Sequence, residues 1–69
     1  NEIVTYPNPT SDYIYVNKKV DLKVYNLLGS VVINKADTDA LDMSNLGPGV
    51  YNLVIKYNEI TINKKIIKQ

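Results

Sequence analysis

LGPGVYNLVIKYNEITINKKIIKQ, residues 46–69, reads as two strands joined by a reversal. Gly47, Pro48 and Gly49 make a turn that no helix continues through, because Gly tolerates positive φ and Pro lacks the N–H a helix needs. Tyr51, Leu53, Ile55 and Tyr57 then fall on alternate positions, with Asn52, Val54 and Lys56 between them. That period of two puts the first set on the buried face of a strand. Asn58-Glu59 interrupts the run, and a β-branched stretch from Ile60 to Ile67 brings the chain back. The segment is expected to be a C-terminal β-hairpin closing a small β domain.

The same periodicity extends toward the N-terminus. Val20, Leu22 and Val24 alternate with Asp21 and Lys23, and Val31-Val32-Ile33 follows a turn at Leu27-Leu28-Gly29-Ser30. So short a link excludes a parallel crossover, which takes about a dozen residues or more, and predicts an antiparallel pair. Tyr13 and Tyr15 share one face of another strand, with Ile14 and Val16 on the other, and Asn17-Lys18-Lys19 reads as a polar turn. Ile3 to Tyr6 is a brief β-prone run stopped by Pro7-Asn8-Pro9, where each proline holds its predecessor extended. Thr10, Ser11 and Asp12 continue that turn with side chains suited to bonding nearby backbone. Residues 34–40 read as polar and irregular, and Leu41-Asp42-Met43 as a short strand. Seven short strands with Gly, Pro and Asn punctuation predict an all-β, small Ig-like antiparallel β-sandwich, a six- or seven-stranded barrel being the alternative.

Composition removes several classes of function. The 69 residues allow one domain, and a chain of that size buries roughly 60% of its unfolded surface, so its stability is modest. It has no cysteine and no histidine, which excludes disulfides, thiolate and imidazole metal sites, and a His-based triad. A net charge of +1 argues against a nucleic-acid partner. No apolar run approaches the roughly 18 residues of a membrane-spanning helix. Asn1-Glu2 opens directly onto a strand-like run, so no signal peptide is expected within the chain. Asp37, Asp39 and Asp42 raise a calcium reading, but they fit no EF-hand spacing, and an edge kept soluble by charge is the better account. Carboxylate-only catalysis needs two acids across a cleft, for which a sandwich this small has little room. The expectation is a domain without catalytic residues, cofactor, metal or small-molecule substrate.

Four stretches in order give the chain a family likeness. Tyr6-Pro7-Asn8-Pro9 resembles the opening Y-P-N-P turn of the type A C-terminal sorting domain of the type IX secretion system, found in Bacteroidota. Leu22 to Gly29 resembles that family's hairpin, in which alternating aliphatics lead to an aromatic, Asp or Asn, Leu and then Gly. Leu41 to Leu46 followed by Gly49-Val50-Tyr51 is similar to its Gly-x-Tyr segment, and Lys64-Lys65-Ile66-Ile67-Lys68 to its basic-aliphatic last strand. The family commonly has Gly in its final hairpin turn. Asn58-Glu59 stands there instead, which predicts a bulged or longer loop.

The resemblance implies that residues 1–69 are one sorting domain carried at the end of a larger, N-terminally fused cargo protein. It implies an Ig-like fold formed in the periplasm and recognition by outer-membrane components, shuttle and translocon. Removal by a surface sortase-like signal peptidase follows, with the cargo left at the cell surface or released. The expected recognition residues are Lys64, Lys65, Ile66, Ile67, Lys68 and Gln69, displayed by a hairpin fixed by Gly49 and Tyr51. Tyr6, Pro7, Asn8, Pro9 and Gly29 are expected to be structural. The competing reading is an Ig-like accessory module that binds carbohydrate or protein through faces bearing Tyr13 and Tyr15.

Overall fold

In a computed structural model, residues 3–8 and 10–69 are described. Five strands form: β1 (Thr5–Tyr6), β2 (Tyr13–Tyr25), β3 (Val31–Asp42), β4 (Gly49–Tyr57) and β5 (Ile60–Lys68). All pair antiparallel in one sheet. β3 runs along one side of β2; β1 and then β4 take the other side, and β5 lies beyond β4. The chain is therefore all-β and antiparallel, as expected.

Five strands replace the expected seven because β2 and β3 each join two of the short runs. Asn17-Lys18-Lys19, expected to turn, lies inside β2. The period of two carries straight through it: Ile14, Val16, Val20, Leu22 and Val24 are buried and Lys18 is half-buried between them. Lys18 keeps this register by laying its stem along the sheet, with Nζ 5.6 Å from the centroid of Tyr57. Asn17 serves β1, its N–H donating to the Val4 carbonyl (3.1 Å) and its Oδ1 accepting from the Val4 N–H (2.9 Å). The β2–β3 register shifts between Tyr15 and Val20, so residues 16–19 bulge against β3 and bend the strand.

Residues 34–40, expected to be irregular, belong to β3. Their polarity reflects an edge strand, where solvent and side chains satisfy what a second neighbour otherwise supplies. The Asp37 N–H donates to Asp21 Oδ1 at 2.9 Å, and Thr38 bonds both the N–H and the carbonyl of Ala40. β3 ends at Asp42, so Met43 follows the strand and packs fully into the core.

One face of the sheet supplies the core. Ile14, Leu22 and Val24 of β2, Leu41 of β3, Leu53 and Ile55 of β4 and Ile66 of β5 are almost completely buried. A single sheet buries one face this fully only by curling on itself, and the N-terminal segment completes the closure. The Met43 N–H donates to the Asp12 carbonyl (2.6 Å), while Thr10 forms a parallel bridge with Lys68. The Tyr6–Pro7 peptide is cis.

Candidate recognition surface

The β4–β5 hairpin is unbroken. Nine pairs run without a shift from Gly49 opposite Lys68 to Tyr57 opposite Ile60. The expected bulged or longer loop does not form: Asn58-Glu59 is a two-residue turn. Asn58 alone takes positive φ (56°), so Glu59 avoids the left-handed geometry it tolerates poorly. At the other end, the Tyr51 hydroxyl donates to the Gly47 carbonyl at 2.7 Å, tying the strand to the turn that starts it. That contact is of the kind a tyrosine corner makes, a hydroxyl bonded to backbone a few residues upstream.

In a two-residue hairpin the closing pair exchanges hydrogen bonds, and every second pair after it does the same. Ile60, Ile62, Lys64, Ile66 and Lys68 therefore bond to β4, and the backbones of Thr61, Asn63, Lys65, Ile67 and Gln69 point away. The N-terminal turn fills part of this outer edge. The Asn8 amide copies a neighbouring strand, its Nδ2 donating to the Lys65 carbonyl (2.9 Å) and its Oδ1 accepting from the Ile67 N–H (3.1 Å). Thr10 continues the pattern: its N–H donates to the Ile67 carbonyl (2.9 Å) and its carbonyl accepts from the Gln69 N–H (2.8 Å). Thr10 is itself buried, with Oγ1 donating to the Tyr13 carbonyl at 2.6 Å. This role of Thr10 was not legible from the sequence beyond the habit of Thr to bond nearby backbone.

The sequence-expected recognition residues thus divide by environment. Ile66 is 2% exposed and belongs to the core, while Lys68 is 8% exposed and donates through Nζ to the Gln69 carbonyl. Lys65, Ile67 and Gln69 face solvent, and Lys64 is half-buried. Gly49 begins β4 opposite Lys68. Gly29 takes φ +89° in the β2–β3 turn, where Asn26 Oδ1 accepts from the N–H groups of Leu28 and Ser30. Tyr6, Pro7 and Asn8 lie where the chain passes from β1 toward the β5 edge, and Pro9 lies outside the described residues.

Two other features were singled out by sequence. Tyr6, Tyr13 and Tyr15 form an exposed strip, Tyr15 lying 5.9 Å from Tyr6 and 6.0 Å from Tyr13 between ring centroids. Tyr6 and Tyr15 are a cross-strand pair, so the contact also holds the short β1 to β2. Asp37, Asp39 and Asp42 are strung along β3, and no three acidic side chains converge on one point among the described residues. Asp42 accepts the Ser44 N–H at 2.9 Å, and hydrogen bonds from Ser44 hold its carboxyl below its ordinary pKa.

With this geometry in place, comparison with protein families matches residues 4–69 to the secretion system C-terminal sorting domain. The chain belongs to that family, and its role is that of a C-terminal sorting signal for type IX secretion. A search of curated proteins returns no match. The family assignment indicates a non-enzymatic part, recognised by the secretion machinery while fused to cargo and exported to the cell surface or beyond.

Proposed function

We propose that the domain is read mainly through β5, as the last element of a cargo protein fused at its N-terminal side. In this reading the folded domain passes through the periplasm, engages an outer-membrane shuttle and translocon, and is removed by a sortase-like peptidase at the surface. The exposed members of the expected set, Lys65, Ile67 and Gln69 with half-buried Lys64, make the contacts. Ile66 and Lys68 hold β5 in place, and Gly49 and Tyr51 set the start of its hairpin. The family match over residues 4–69 supports the sorting role, and the observation that carries the reading through β5 is its regular edge with Lys65, Ile67 and Gln69 exposed. Basic side chains orient and accelerate an encounter more than they tighten it, so Lys64 and Lys65 set approach and Ile67 supplies apolar contact.

The test fuses residues 1–69 to the C-terminus of a fluorescent carrier bearing an N-terminal export signal. It is expressed in a Bacteroidota host with and without a working type IX system. Carrier outside the cells only when the system is intact is the expected result. Equal periplasmic retention in both strains, with the domain folded, contradicts the reading. Ile67→Asp, at an exposed position, is expected to reduce export while leaving the melt unchanged.

A further inference from the structure

The outer edge of β5 is covered over only half its length. Thr61 and Asn63 each turn an N–H and a carbonyl outward, and Lys65 an N–H, and these meet no partner among the described residues. Proteins normally blunt such an edge with a bulge, a proline, a break or charged side chains, lysine above all. Of these devices this stretch has charge alone, in Lys64 and Lys65. β3, at the opposite edge, is blunted: its register with β2 shifts three times, and Asp37 takes φ 50°. From Thr61 to Lys65 there is no shift, no proline and no left-handed residue.

An open groove of about 560 Å³ borders this stretch. Tyr25 and Asn52 line it with Leu27 of the β2–β3 turn, and Asn63, Lys64 and Lys65 line it on the β5 side. It holds lysines and amides and, among the described residues, no carboxylate. Leu27 and Leu28 beside it are 71% and 91% exposed, an apolar tip with nothing packed on it.

We propose that the edge from Thr61 to Lys65, with this groove, accepts an extended acidic segment of a partner protein as an added strand. Backbone groups at alternate residues supply the ladder, and the lysines select carboxylates on the incoming chain. A second copy of this domain fits poorly, because its own β5 edge carries the same positive charge and its β3 edge is irregular. That the partner belongs to the secretion machinery rests on the sorting reading above; the strand-addition site rests on geometry.

Asn63→Pro tests this directly. Asn63 does not bond to β4, so proline there removes an outward donor and spares the hairpin ladder, as edge prolines do. Asn63→Val keeps the N–H and controls for the side chain. In the export assay the expected result is wild-type export for Asn63→Val and a fall of about tenfold for Asn63→Pro, with both melting cooperatively. Thr61→Pro is the second proline variant should Asn63→Pro fail to fold, and Lys65→Glu is expected to lower export with the backbone intact. Folded proline variants exported at the wild-type rate overturn the edge site and leave the sorting role standing. Failure of the unmodified fusion to leave the cell strikes the sorting reading instead. A concentration-dependent dimer of the isolated domain, abolished by Asn63→Pro, overturns the acidic partner in favour of a second copy.

Discussion

The β2–β3 and β4–β5 hairpins are built from similar residues and make opposite kinds of edge. β3 twists away from any neighbour through three register shifts and a left-handed Asp37, and its acidic side chains keep the edge in water. β5 stays regular for nine pairs, and it is closed by a different device, the Asn8 and Thr10 segment laid along Lys65 to Gln69. An irregular edge is unavailable along its whole length. A regular edge is unavailable only where something covers it, and here the cover stops at Lys65.

The largest effect is expected where the two hairpins meet. Leu22 is fully buried in β2 and stands opposite both Lys35 of β3 and Ile55 of β4. Leu22→Ala should cost about 2–5 kcal/mol, enough to unfold much of so small a domain, and denaturant titration reads it out. A loss below about 1 kcal/mol would mean that the two hairpins do not share a core.

Next come the turns. Gly29 has open space around a notional Cβ but sits at φ +89°, so Gly29→Ala is expected to lose about 1 kcal/mol from backbone strain alone. Asn58→Gly, at φ 56°, should be close to neutral, since glycine accepts that geometry and Asn already tolerates it. Thermal melts of the two variants sharpen the contrast: the β2–β3 turn calls for glycine, and the β4–β5 turn is served by Asn or Gly alike.

The smallest effect belongs to Asp42. Hydrogen bonds from Ser44 lower its folded-state pKa, so the stability it adds is present above its unfolded value and is lost as pH falls through the lower folded value. At neutral pH wild type should be slightly more stable than Asp42→Asn, and the difference should shrink as pH falls below about 4. Carboxyl NMR shifts across that range check the direction.

What was legible from the sequence follows from how local each signal is. Alternation from Tyr51 to Tyr57 and from Val20 to Val24 gave the buried faces correctly, because a strand's period of two is written in adjacent residues. Asn17-Lys18-Lys19 was misleading because its strand geometry depends on Val4 and Tyr57, which are remote in sequence. Asn58-Glu59 was misread because the turn needs only one left-handed residue, and Asn provides it. The Lys-rich last strand was found, but its division into core, covered and open parts was not. That division depends on Asn8, whose side chain reaches Lys65 and Ile67 from the far end of the chain.

Amide hydrogen exchange on residues 60–69, read by NMR on the isolated domain, tests the two-part edge most directly. Slow exchange is predicted at Ile67 and Gln69, which donate to Asn8 and Thr10, and at the β4-paired Ile62 and Lys64. Fast exchange is predicted at Thr61, Asn63 and Lys65. Protection at Thr61 and Asn63 equal to that at Ile67, or free exchange at Ile67 and Gln69, would contradict it.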